Sequence, residues 1–412
     1  MSENVAPATP KRDLDLDWFR GVGCILMFIV HVAIMIGIPT DSFAYRFQID
    51  GIYQLYAWFF LASGMNAARA AWNDNRRPRP GRTMASYLLV NLALFVMGII
   101  YSVNRRTWGQ MELFSGIAAC TAMAYVLQRR RWPHWATIII SVLLFGVVVH
   151  YNYLYWNFPH QQLFKPREFN AQVSQIIYSF NLGERFLFVH FSLLPWVSWF
   201  ILGAAMLAWA GTRREWILWV LFLAMFGASF YAPHYLNKMS LDFYLRAKMD
   251  FLLRSTSFGG ATILLVRRFY KGEWSINKKI EFLGRESLLA FVMQWFFIDW
   301  CVPLRAIGLA SGRATWKVFP LVQIAAILGA YWLTRLFAAW RDRTIKNKNY
   351  LRNWLALTFA FFVPALLFYQ RAPVLAYLLS FPVIVGLAMA FPAVRLVIRR
   401  AVLPSKPPAP AV

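Results

Sequence analysis

Apolar residues in this chain gather into long runs, and the charged residues between the runs form short, mostly basic clusters. A helix needs a run of about twenty apolar residues to cross a hydrocarbon core about 30 Å thick. Segments near that length fall at 18–38, 52–72, 84–102, 110–128, 134–150, 187–210, 214–231, 249–267, 283–302, 316–338, 352–370 and 373–395. The 110–128 segment is diluted by small residues, and the last two are closely spaced. The pattern predicts an all-α fold, a polytopic transmembrane helical bundle of about twelve spans, with ten as the lower bound.

The basic residues orient the bundle. With the N-terminus inside, one set of alternate segments carries Lys11 and Arg12, the arginines at 76, 77, 79 and 82, the Arg129–Arg131 cluster, and the clusters around 267–279, 335–352 and 395–406. The opposite set carries roughly half as many, which places both the N- and C-termini in the cytoplasm. The expected organisation is a cytoplasmic N-terminal tail at 1–16, a transmembrane domain at 17–400 and a disordered Pro-rich tail at 401–412. The longest outside segment, 151–186, is rich in Tyr, Phe, Asn and Gln, and either caps the membrane surface or simply connects two spans. No internal repeat and no soluble domain stand out.

Composition agrees with a membrane solvent. The 412 residues are 59% hydrophobic and only 15% charged, where a soluble chain carries about a quarter. Nineteen Trp and eighteen Tyr suit interfacial belts. The net charge of +25 lies in loops and forms no basic domain, so it points to topology and anionic lipid, not to nucleic acid. Cys24, Cys120 and Cys301 lie in or beside apolar runs with no metal-type spacing, and no metal site is expected. The N-terminal stretch lacks the pattern of a removable signal.

Candidate chemistry concentrates in LDLDWFRGVGCILMFIVHVAIM. Arg20 and His31 are eleven residues apart, which on a helix is about 20° around the axis and about 16 Å along it. Asp17 lies a turn before Arg20 on nearly the same side. One helix face thus presents an acid and a guanidinium near the cytoplasmic interface and an imidazole deep in the membrane, where ionisable groups normally face a cavity or partner. The plainer readings are a snorkelling arginine and a histidine hydrogen-bonded to a neighbouring helix. Arg285, Glu286 and Ser287 open the ninth span, either as an ion-paired helix start or as a phosphate site. His190 precedes Trp196 near an outer interface, and Asp250 and Arg254 are spaced for an intrahelical pair. Glu184 and Arg185 sit where a sugar could bind outside. No GxxxxGK[ST], HExxH or GxSxG occurs, so nucleotide hydrolysis, zinc proteolysis and elbow-type serine chemistry lack support.

Several of these segments carry a resemblance. Arg20, ten residues, then His31 in the first span resembles the membrane-bound acyltransferase-3 group. Asp17-Trp18-Phe19-Arg20-Gly21 also resembles the heparan-glucosaminide N-acetyltransferase-like proteins and the glucan succinyltransferases. Phe59, Phe60, Ser63 and Gly64 in AWFFLASGM, the WGQMELFSGIAACTAMAYVL stretch, and Pro195, Trp196 and Gly203 in LLPWVSWFILGAAM are similar to segments of those families. LGRESLLAFVMQWFF resembles their late Leu-Gly-x-x-Ser-Leu segment, with Gln294 where a histidine usually stands. The Trp-Ser-Leu-x-x-Glu segment of the main acyltransferase-3 branch is missing, so the match is to the superfamily.

The resemblance implies an acyl-coenzyme A-dependent acyltransferase of a bacterial inner membrane with no tightly bound cofactor. It would move an acyl group, most simply acetyl, from cytoplasmic acyl-coenzyme A to a hydroxyl of a cell-envelope carbohydrate or glycolipid. A neutral imidazole is suited to take the hydroxyl proton as it attacks the thioester, which makes His31 the expected base, with transient acylation of His31 as a second route. Arg20 would hold donor phosphate or the thioester region, and Asp17 would orient Arg20. Gln294 would donate to the oxyanion, and Arg285, Ser287, His190 and Trp196 complete the expected binding set. Partners are then acyl-coenzyme A, the acceptor and membrane lipid, with homo-oligomerisation left open. The rival reading is a secondary transporter or a flippase for a lipid-linked glycan, since twelve spans and an Asp–Arg–His face also suit proton coupling. A third is a non-catalytic assembly subunit.

Overall fold

The computed structural model describes residues 14–36, 42–43, 46–55, 57–76, 80–104, 113–130, 132–157, 193–231, 249–270, 273–306, 315–368 and 373–403. Among these residues the fold is helical throughout, without strands. In chain order the helices are α1 (Leu14–Ile36), α2 (Ala57–Asn75), α3 (Pro80–Asn104), α4 (Leu113–Arg129), α5 (His134–Asn157), α6 (Leu193–Trp209) and α7 (Glu215–Tyr231). They continue with α8 (Met249–Phe269), α9 (Ser275–Arg285), α10 (Ser287–Ala306), α11 (Thr315–Thr344), α12 (Tyr350–Leu367) and α13 (Pro373–Val402). A short π-type turn at Arg46–Gly51 and a 3₁₀ turn at Ile52–Leu55 lead into α2.

Within the described residues each of the twelve apolar segments lies largely on a helix, with two adjustments; positions 110–112 and 187–192 of two segments lie outside the described residues. The segment at 283–302 begins inside α9, and the chain bends at Glu286 before α10. The helical ladder survives on either side of the bend, with Glu286 N bonded to Phe282 O at 3.0 Å and Ala290 N to Glu286 O at 2.8 Å. The helix predicted at 134–150 runs on to Asn157, into the expected outside segment, and the rest of that segment lies outside the described residues.

Among the described residues, five helical stretches are long and apolar enough to cross a membrane: Asp15–Ala33, Pro80–Tyr101, Pro320–Thr344, Tyr350–Leu367 and Leu378–Val402. Shorter apolar stretches lie at His134–Val147, Trp196–Trp209, Glu215–Phe230 and Ser287–Phe297. The outer helices turn large apolar side chains away from the protein. Leu89, Leu92, Val96 and Ile99 form such a face on α3, and Leu321, Ile324, Leu328, Trp332 and Leu336 form one on α11. Faces of that extent are sustained in lipid and are a liability in water. The molecule is a helical membrane protein.

The interior is built on α1, α2 and α6. On α6 the run Trp196–Leu207 is buried without a break, and Phe60 of α2 packs against Trp196, Trp199 and Phe200. Asp15 and Asp17 in the first turn of α1 favour its N-terminal dipole. The N-terminal half of α1 lies directly on α9. A Cβ on Gly284 would fall on the carbonyl oxygen of Asp17 and within 2.7 Å of the Gly21 nitrogen, and one on Gly21 would fall on the Ile280 carbonyl. Only glycine lets the two backbones approach this closely. Around the crossing, Trp18 Nε1 donates to Asn277 Oδ1 at 3.0 Å, and Asp15 pairs with Arg267 at 3.4 Å. Tyr270 donates to Glu281; burial, then that bond, raises its phenol above the ordinary range, so it stays protonated and remains a donor.

Candidate functional site

The aligned face of α1 meets α10 along its length. At the lower end Arg20 Nη2 donates to Ser287 Oγ, and Asp17 Oδ1 lies 4.0 Å from Arg20 Nη1. Asp17 and Ser287 are both buried, whereas about a quarter of the Arg20 side chain is exposed. At the upper end His31 Nδ1 lies 3.3 Å from Gln294 Oε1, and the imidazole packs on Trp295 with ring centroids 5.3 Å apart. Arg20 with Ser287 and His31 with Gln294 advance in the same sense along both helices, so α1 and α10 run parallel, while α9 crosses α1 at Gly284. Ser287 and Gln294 are two turns apart, about 10 Å along α10. Arg20 and His31, about 16 Å apart at the backbone, therefore deliver their heads to points about 10 Å apart on the seam.

An amide oxygen only accepts, so the contact is a hydrogen bond in the tautomer that carries the hydrogen on His31 Nδ1, which then donates to Gln294 Oε1. His31 Nε2 is then left with its lone pair, the arrangement a base requires. Gln294 is 2% exposed, and its Nε2 is buried with no hydrogen-bond partner among the described residues. An unmet buried donor costs about 1–3 kcal/mol and is uncommon without a use. The seam thus offers an acceptor on His31 and a spare N–H pair on Gln294, which is what is needed to receive a hydroxyl and stabilise a developing oxyanion.

A further amide pair closes the same end. Gln48 and Gln323 exchange hydrogen bonds at 3.1 and 2.7 Å, and Gln323 Nε2 also donates to the Ile29 carbonyl at 2.8 Å. Sequence reading missed both glutamines. Gln48 sits in an unpatterned stretch before α2, and Gln323 lies within an apolar run, where one amide gives no spacing signal. The contact of Gly21 with Gly284 was likewise illegible, because it joins positions far apart in the chain.

The other expected site residues are placed differently. Arg285 turns to Glu286 at 3.5 Å and over the Phe282 ring at 5.3 Å, with half of its side chain exposed. Glu286 is held by Arg341 of α11 through two bonds of 2.6 and 3.1 Å, so the helix-start reading describes this pair and its anchor is in another helix. Trp196 is packed on Phe60 with centroids 4.4 Å apart, inside the α2–α6 core. Arg254 donates to Ser229 of α7 at 3.3 Å and lies over Phe230; the expected pairing with Asp250 falls on a side chain outside the described residues. His190, Glu184 and Arg185 also lie outside the described residues. Cys24 and Cys120 are buried free thiols.

No protein-family model matches this chain, and no curated protein does. The class defined by the fold and the seam is a polytopic helical membrane protein with a polar site between two parallel helices.

Proposed function

We propose that the chain is a twelve-span acyltransferase of a bacterial inner membrane, with both termini in the cytoplasm, which transfers an acyl group from acyl-coenzyme A to a hydroxyl of an envelope carbohydrate or glycolipid. The observation that carries the reading is the His31–Gln294 contact, which leaves Nε2 of a deep imidazole as an acceptor beside an unpartnered amide donor. The parallel run of α1 and α10 also fits, because the first and ninth spans of a twelve-span chain cross in the same direction.

In this mechanism the donor thioester enters from the Arg20 end, where the guanidinium, steadied by Asp17 and Ser287, holds an anionic or carbonyl group. His31 Nε2 takes the proton of the acceptor hydroxyl as its oxygen bonds to the thioester carbon. The carbonyl oxygen becomes an oxyanion that accepts from Gln294 Nε2. The intermediate collapses with cleavage of the carbon–sulfur bond. The imidazolium then returns its proton to the leaving thiolate, so that ester and free thiol are released and His31 is neutral again.

The test is the purified protein in detergent or nanodiscs with radiolabelled acetyl-coenzyme A. Saturable binding, and labelling of an envelope glycan that depends on Arg20 and His31, is the expected result. A protein that does not bind acyl-coenzyme A would return the transporter reading to first place.

A further inference from the structure

At the bend between α9 and α10, neighbouring residues tie the chain to two other helices. Gly284 sets the α9 backbone on α1, Ser287 accepts from Arg20 of α1, and Glu286 between them turns to α11. Glu286 gives one carboxylate oxygen to each arm of the Arg341 guanidinium, at 2.6 and 3.1 Å. The two side chains are only 10% and 11% exposed. Asp342 also accepts from Arg341, but its side chain is 67% exposed, and an ion pair in that setting contributes little. Arg285, half exposed, adds a longer contact to Glu286 at 3.5 Å. From this anchor α11 continues along the back of the seam. Ala330 is buried with Cys24 and Phe28 of α1, Leu283 of α9 and Ala290 of α10. Gln323 then reaches the Ile29 carbonyl at the upper end, eighteen residues from Arg341 and about 27 Å along the helix. One helix is thus fastened at both ends of the seam.

We infer that Arg341 is a positioning residue, which sets the α9–α10 bend through Glu286 and so places Ser287 against Arg20. Ser287 follows Glu286 directly in the chain, so a turn of one backbone carries the other with it. The chain leaves the helix at Glu286, with φ −98° and ψ 25°. The Gly21–Gly284 contact holds α9 on α1 and leaves the direction of α10 to the residues that follow. A two-pronged guanidinium–carboxylate pair fixes both distance and angle, which an apolar contact does not. Stability alone is a poor reason for such a pair, because well-packed apolar side chains of similar volume often stabilise a buried place as well or better. The inference about the bend stands on geometry. Its consequence for the donor, which Arg20 would hold, rests on the acyltransferase reading.

The experiment replaces the whole pair, Glu286→Leu with Arg341→Met, in the full-length protein. No charge is left buried alone, so the melting temperature should stay near that of the wild type. Arg341→Lys keeps the charge and gives a second folded variant. The bend is read by electron spin resonance as the distance between nitroxides at Lys279→Cys on α9 and Phe296→Cys on α10, both exposed positions, with Cys24, Cys120 and Cys301 replaced by alanine. The apolar pair should shift or broaden that distance, and Arg341→Lys should do so less, because a point charge keeps part of the hold. In acyl transfer from acetyl-coenzyme A, the apolar pair should raise KM about tenfold with a smaller change in kcat. Adding Arg20→Lys should then cost little beyond Arg20→Lys alone, since both changes remove the same hold. A distance unchanged by the apolar pair would overturn the inference. Losses that add to those of Arg20→Lys would reduce the pair to a brace for stability. If the distance moves but even the wild type transfers no acyl group, the bend assignment stands and the acyltransferase reading fails. If transfer occurs and is indifferent to a moved bend, the link from Arg341 to Arg20 fails.

Discussion

The two ends of the α1–α10 seam are both polar, one ionic and one built of amides and an imidazole, and they are left in opposite states. At the lower end, charge is satisfied: Asp17, Arg20 and Ser287 answer one another, Asp15 meets Arg267, and the backbones touch through Gly21 and Gly284. At the upper end, Gln48 and Gln323 satisfy one another, but Gln294 spends its oxygen on His31 and leaves its nitrogen unmet. A satisfied polar cluster rigidifies a helix pair, whereas an unsatisfied one in a buried place is held there by the packing around it. The difference assigns the lower end to positioning and the upper end to chemistry.

If that division is right, damage to the lower end should appear first as lost structure. Gly284→Val would drive two methyl groups into the Asp17 carbonyl. We expect about 3 kcal/mol of destabilisation, read as a collapse in detergent-stable yield and melting temperature. A variant as stable as the wild type would mean that the crossing is looser than described. Arg20→Lys is subtler. It keeps the charge but loses the planar fork that spans Ser287 and an anionic ligand, so kcat/KM should fall roughly tenfold to hundredfold with insertion unchanged. Normal turnover would reduce Arg20 to an interfacial anchor. Gln294→Leu should have the smallest effect, a drop in kcat of roughly fivefold to tenfold from the loss of one hydrogen bond in the transition state. Donor affinity should not change, because the amide faces His31. Gln294→Glu keeps an acceptor for Nδ1 but sets a carboxylate where the oxyanion develops, so it should lose more than Gln294→Leu; a smaller loss would deny Gln294 its part as oxyanion donor.

The sequence made half of this comparison readable. Eleven residues are close to three helical turns, so Asp17, Arg20 and His31 could be placed on one face from spacing alone. The helices themselves were legible because apolar run length is a strong local signal. What pairs with that face was not, since Ser287 and Gln294 lie more than 260 residues away, and a spacing rule has no reach across that distance. Both had been singled out, Ser287 at a helix start and Gln294 at a motif position, without a geometry that joined them to α1. Trp196 was expected at the site on a motif match, and its place is in the buried α2–α6 seam, because an indole in an apolar run is first a packing residue.

The account is most exposed at His31. His31→Gln keeps polar volume and a hydrogen-bonding amide but cannot take a proton at working pH. The decisive measurement is acyl transfer by the purified His31→Gln protein, normalised to folded protein and to acetyl-coenzyme A occupancy. If Nε2 is the base, the variant binds donor as the wild type does and its chemical step falls by roughly 10²–10⁴-fold. Wild-type transfer by that variant would contradict the account, leaving His31 as a structural histidine and the upper end of the seam without its chemistry.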